Sequence, residues 1–214
     1  MNEAEEISSK QKQISVSEFF EKNKHFLGFD TLPRAVITAV KESVDNSLDA
    51  CEEARILPDI RVEIRRTKGD ELELITQDNG PGIPRDAIEN VFGKFLLGSR
   101  FHAIRQTRGQ QGIGITGVVM YSQLTTGSKT HVVSKIKSDS SAVYVDLGVD
   151  TKKNKAIKSG ERRDIWIDDK TGNEISHGLR IRTQMKAKYQ RGRKSVYQYP
   201  VSYTHLTLPT SDLV

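Results

Sequence analysis

Three short runs hold the side chains best suited to chemistry: Glu42-Ser-Val-Asp-Asn46, Asp78-Asn-Gly80-Pro-Gly82-Ile, and Gly109-Gln-Gln-Gly112-Ile-Gly114. Glu42 and Asn46 are four residues apart, so on a helix they share a face. The carboxylate can take a proton from water and the amide oxygen can hold a hard cation. Asp78 closes an alternating run, and a carboxylate there can accept a hydrogen bond from an exocyclic amine such as that of adenine. The glycines beside it let backbone approach a flat ligand closely. Glycine-rich backbone ahead of a helix offers N–H groups and the positive end of the helix dipole to phosphate. Each run has an ordinary explanation when taken alone: an amphipathic surface helix, a tight Asn-Gly and Pro-Gly turn, a surface loop. All three in this order describe a pocket for a magnesium-bound nucleotide.

The third run continues Ile115-Thr116-Gly117 into an apolar segment. No Gly-Lys-Ser/Thr follows, so it is not a Walker loop, and no alternating βα unit surrounds it, so it is not a dinucleotide fingerprint. Ser99 and Arg100 precede it; Arg100 could meet a phosphate, although a solvated arginine is the commoner fate. The histidines, His25, His102, His131, His177 and His205, show no metal-ligand spacing. Trp166 and the tyrosines read as packing residues. Residues 100–108 and 186–194 are basic within a net charge of +5, and a solvated face and a phosphate or DNA contact explain them equally well.

These residues need elements to position them. Asp30-Thr31-Leu32-Pro33 predicts the start of a long helix, with a cap residue and a proline in the first turn. It should end near Ile56, before Pro58. Its polar stripe holds Glu42, Asn46 and Asp49, and its apolar stripe Val36, Ile37, Val40, Val44 and Leu48. Upstream, residues 1–14 are polar. Ser15-Val-Ser-Glu18 reads as a capping box for a short helix bearing Phe19 and Phe20 and stopping near Gly28. Strands are predicted over 60–65 and 71–75, joined by a turn at 66–70, and over 131–137, 142–147, 164–167 and 179–183. Residues 93–112 and 152–161 read as loops, and 113–122 as a buried helix. Helices, then a hairpin, then a loop and helix, then a run of strands argue for an α+β two-layer sandwich.

With 29% charged and 36% hydrophobic residues, the 214-residue chain has the make-up of one soluble globular domain with room for a small appendage. No apolar run approaches the ~20 residues of a spanning helix, and the acidic N-terminus is wrong for a secretory signal. Cys51 has no internal partner, which points to the reducing cytoplasm.

Together the three runs resemble the GHKL ATPases, the group of gyrase B-type subunits, MutL-type repair proteins, ninety-kilodalton heat-shock chaperones and sensor histidine kinases. Lys41-Glu-Ser-Val-Asp-Asn-Ser-Leu-Asp-Ala50, residues 106–114, Met120-Tyr-Ser-Gln123 and residues 189–197 make the chain most similar to the B subunits of type IIB DNA topoisomerases. The resemblance implies a Bergerat fold, a mixed and mostly antiparallel sheet with helices on one face. It implies that Glu42 is the general base, Asn46 the Mg²⁺ ligand and Asp78 the adenine contact. Gly80, Gly82, Ser99, Arg100, Gly109, Gln110, Gln111, Gly112, Ile113, Gly114, Ile115 and Thr116 would line the ATP. It further implies a second B subunit on ATP binding, an A subunit in an A2B2 assembly that cuts double-stranded DNA, and duplex passage through the break. Residues 1–27 would be a dimerisation strap, 28–190 the ATPase domain and 191–199 the start of a truncated helix. Pro200 breaks that helix, and 200–214 read as a non-family tail, either foreign to the gene or a divergent terminus. Leu179 stands where family members often carry threonine. The switch lysine of the family's transducer domain is missing, so the chain alone should hydrolyse ATP weakly. Another GHKL ATPase, or a dimerisation module that binds nucleotide without turnover, fits the same runs.

Overall fold

The computed structural model describes residues 16–93, 114–150 and 155–190. Helix α1 (Val16–Asn23) precedes the long α2 (Leu32–Glu53), and the hairpin β1 (Ile60–Arg66) and β2 (Glu71–Asp78) follows. A 3-10 turn at Arg85–Ala87 leads into α3 (Ile88–Gly93). Then come α4 (Gly114–Thr126), β3 (Thr130–Lys135), β4 (Ala142–Asp150), β5 (Lys155–Asp164) and β6 (Gly178–Lys186). The strands form one sheet in the order β1-β2-β6-β3-β4-β5. Every pairing among them is antiparallel. The α+β two-layer expectation is met, and the parallel pairing of a mixed sheet does not occur among these strands.

The last strand slots into the middle of the sheet. Its first residues lie beside the ends of two others: Leu179 is opposite both Asp78 of β2 and Ser134 of β3, and Gly178 is opposite Lys135. This insertion brings a late segment of the chain against the Asp78 loop.

Helix α2 starts as its first residues dictate. Thr31 is the N-cap and accepts from the Arg34 N–H at 3.4 Å, with Pro33 in the first turn. Ala35, Val36, Ala39, Val40, Val44, Leu48 and Cys51 are buried, and each large aliphatic among them contributes about 1.5–3 kcal/mol. The helix ends at Glu53, short of the expected Ile56, because Arg55 turns left-handed at φ 56°. Helix α4 is buried on most sides, and its polar groups are met by backbone. Tyr121 donates to the Lys186 carbonyl, Ser122 to that of Gln184, and the Gln123 amide both donates to and accepts from Val149. Phe29 stacks on Tyr121 at 4.7 Å and Phe20 lies 5.6 Å from Phe29, which ties α1 to this layer.

The expected 66–70 turn is present, with Gly69 at φ 53°. Two strand expectations are corrected. Residues 152–161 are no loop in their described part, because β5 runs over Lys155–Asp164 and pairs with β4. It is an edge strand with charged residues and an exposed Ile157, and edge strands of that kind lack the hydrophobic alternation of buried ones. The strand expected over 164–167 reduces to the last residue of β5 and one isolated bridge, Ile167 to Glu174. Ile165 and Ile167 face solvent and Trp166 is buried, so the alternation is real but no ladder accompanies it.

Candidate functional site

Glu42 lies mid-way along α2, its side chain about one-fifth exposed. Burial pushes its carboxyl above the usual glutamate range; Lys41, 3.9 Å away, pulls it down and Asp45 pushes it up. Lys41 also pairs with the buried Asp45 at 3.0 Å. Glu42 meets the first residue of α4: a Cβ on Gly114 would fall inside the van der Waals envelope of Glu42 Oε2. One turn along α2, the exposed Asn46 donates its Nδ2–H to the Glu42 carbonyl at 2.6 Å. That commits the amide nitrogen to the helix and leaves Oδ1, a hard oxygen of the kind Mg²⁺ prefers.

Asp78, at the end of β2, is 5% exposed, and a charge there requires donors. Ser47 on α2 donates to Oδ2 at 2.7 Å, while Gly80 N–H and Leu179 N–H donate to Oδ1 at 2.9 and 3.3 Å. Burial raises its carboxyl above the ordinary aspartate range, opposed by those three donors and, when its ring is protonated, by His177. With Oδ1 doubly engaged and Oδ2 singly, Oδ2 keeps capacity to accept one more N–H. Asn79 fastens the loop to the connection between α2 and β1, accepting from the Asp59 N–H and donating to the Leu57 carbonyl. Gly82 is left-handed at φ 74°, and a Cβ there would strike the Lys135 carbonyl.

Helix α2 therefore touches both of the other runs, at positions about 140° apart around its axis: Glu42 meets the start of α4, and Ser47 meets Asp78. The two positions are five residues apart, roughly 7.5 Å along the axis. Ile115 is half-buried and Thr116 buried at the start of α4. Ser99, Arg100, Gly109, Gln110, Gln111, Gly112 and Ile113 lie outside the described residues, as do Ser15 of the expected capping box and most of the two basic stretches. Leu179 lacks the threonine hydroxyl, yet its backbone N–H serves Asp78 and its side chain packs on the core. Sequence reasoning missed Ser47 and His177. Ser43 and Ser47, four apart inside a helix and both buried, were a signal for the former; nothing local marks His177, whose Nδ1 lies 2.8 Å from the Gly80 carbonyl.

A two-layer fold whose long helix meets a glycine-led helix through a mid-helix acid and a strand-end aspartate through a serine is in keeping with a nucleotide-binding ATPase domain. Residues 31–182 match the family model described as histidine kinase-, DNA gyrase B- and HSP90-like ATPase, and the chain belongs to this family. Among curated proteins it is 52% identical over 197 residues to the B subunit of type 2 DNA topoisomerase 6 from Methanosarcina acetivorans. It is 51% identical to that of Methanococcoides burtonii over 197 residues and 50% identical to that of Archaeoglobus fulgidus over 194. These alignments cover 92%, 92% and 90% of this chain and 31%, 30% and 31% of the relatives, so the chain spans about a third of their length. Among the described residues no helix is long and apolar enough to cross a membrane.

Proposed function

We propose that this chain is the ATP-binding and ATP-hydrolysing domain of a type IIB DNA topoisomerase B subunit. The observation that supports the nucleotide reading is that α2 touches both other runs, Glu42 lying against Gly114 and Ser47 donating to Asp78. The names of relatives at about half identity carry the choice of topoisomerase. Asp78 accepts the adenine amine on Oδ2, and Gly80 and Gly82 let the loop lie close to the base. Ser99, Arg100 and the segment Gly109, Gln110, Gln111, Gly112, Ile113, Gly114, Ile115 and Thr116 contact ribose and phosphates. Asn46 supplies Oδ1 to Mg²⁺, which when bound draws charge from the phosphate oxygens. Glu42 orients a water and takes its proton as the water oxygen bonds the γ-phosphorus. The bond to the β-phosphate oxygen breaks, and ADP leaves with the electron pair. A carboxyl raised by burial is a stronger base than a fully solvated one.

In the whole enzyme, ATP would bring two B subunits together, and an A2B2 assembly would pass one double-stranded DNA through a break made by the A subunits. An enzyme acting on DNA would work in the cytoplasm, and the buried free thiol of Cys51 accords with a reducing compartment. Glu42→Ala tests the reading. In a chain extended to the relatives' length, a non-hydrolysable ATP analogue should still bind, while turnover falls by about 10²–10⁴. Unchanged turnover would remove Glu42 from its role.

A further inference from the structure

His177 has no part in the chemistry assigned above, yet it grips the loop that carries Asp78. Its Nδ1 lies 2.8 Å from the Gly80 carbonyl oxygen. A carbonyl only accepts, so Nδ1 holds the proton and the neutral ring keeps its lone pair at Nε2. Gly80 is thereby held from both sides, its N–H by Asp78 Oδ1 and its carbonyl by His177.

The segment that delivers His177 is itself anchored. Glu174 pairs at 2.7 Å with Lys135, which is only 4% exposed, and bridges to Ile167. The Ile175 N–H donates to the Trp166 carbonyl at 2.8 Å. After His177, Gly178 takes φ 140° with no room for a Cβ against the Asp78 carbonyl, and the Leu179 N–H reaches Asp78 Oδ1. The far side of the loop is held by β3, where Ser134 Oγ accepts from the Ile83 N–H and donates to the Ile83 carbonyl. His177 thus holds the carbonyl of the residue whose N–H holds Asp78 Oδ1.

We propose that His177 is a positioning residue for the base end of the site: by holding Gly80 it aims Asp78 Oδ2 at an exocyclic amine and so sets the preference for an amino-purine over an oxo-purine. This rests on the assignment of Asp78 to the adenine amine. An oxo-purine presents a carbonyl lone pair to the carboxylate instead of an N–H, so a well-aimed Asp78 rejects it and a loosely held one discriminates less.

The test is the ratio of Mg-ATP to Mg-ITP affinity of the 214-residue chain, measured by calorimetry. The wild type should favour ATP by about ten-fold or more. His177→Ala should bring the ratio towards one. His177→Asn, whose Nδ2–H can reach the place of the ring Nδ1–H, should restore most of it. A general loss of folding would lower both affinities together and leave the ratio alone. A wild type that does not discriminate overturns the Asp78 assignment and the proposal with it. Discrimination that survives in His177→Ala overturns the proposal and leaves Asp78 in place. Nitrogen-15 NMR of the wild type supplies an independent check: neutral His177 should be the Nδ1–H tautomer, and an Nε2–H tautomer overturns the proposal even if the variants fail to fold.

Discussion

Gly114 and Asp78 show how single atoms govern this site. A methyl group on Gly114 would collide with the end of the Glu42 side chain, a flexible carboxylate that can swing aside. Gly114→Ala should therefore leave stability nearly intact and displace the base. A shift of that size costs about 10² in turnover, to be read in a hydrolysis assay beside a thermal melt; unaltered turnover would separate Glu42 from the start of α4. Asp78 carries the opposite tension. Burial raises its carboxyl above the ordinary aspartate range, so the folded state holds the proton more tightly than the unfolded chain. Its contribution to stability is full below the unfolded value and is lost as pH rises through the folded one. Asp78→Asn should make the nucleotide-free chain relatively more stable as pH increases from about 4 to 8, while weakening ATP binding by about ten-fold or more. Denaturant titrations across that range, paired with calorimetry, check both.

At the scale of elements, the loop after β2 is shaped by what packs on it. Gly82 is left-handed and presses on the Lys135 carbonyl, which is backbone and cannot move aside. Gly82→Ala should destabilise the fold by about 2 kcal/mol or more, visible as a lower denaturation midpoint. A neutral result would mean that the loop is not held against β3. The same clash in Gly114→Ala meets only a side chain, so the two glycines are expected to differ in kind: one substitution loses stability and the other turnover. Much of α2 and the β1–β2 hairpin was legible beforehand. A cap, a first-turn proline, a 3.6-residue stripe and a glycine turn are local signals. Strand β5 was not legible, because an exposed edge strand is set by the backbone ladder to β4 and leaves no pattern in its side chains.

For the whole molecule, the face of the sheet opposite α2 and α4 is tied together by charge. Asp168 accepts from the Lys170 and Thr171 N–H groups, and Arg61 and Gln77 reach it from β1 and β2. Burial pushes its carboxyl up, but these donors outweigh burial and hold it well below the aspartate range. Its stabilising effect is thus present above the unfolded pKa and is lost as pH falls through the folded one. Asp168→Asn should destabilise the chain at neutral pH, and the gap to wild type should close in strong acid. Parallel unfolding curves at both ends of a pH series would contradict this. Because Asp168 opens the segment that ends in His177, the variant also tests whether that segment is anchored from the outer face.

The order of chemistry-bearing runs, the caps and the apolar stripes were readable from the chain alone, since each depends on spacings of a few residues and on the preferences of single side chains. Which residues meet was decided by the tertiary structure. Slotting β6 between β2 and β3 placed Leu179 and His177 on the Asp78 loop, about a hundred residues away in sequence. Helix packing set Ser47 on Asp78 and Gly114 on Glu42. Contacts closed over such separations depend on strand order and layer packing, and neither leaves a trace in the local run of residues.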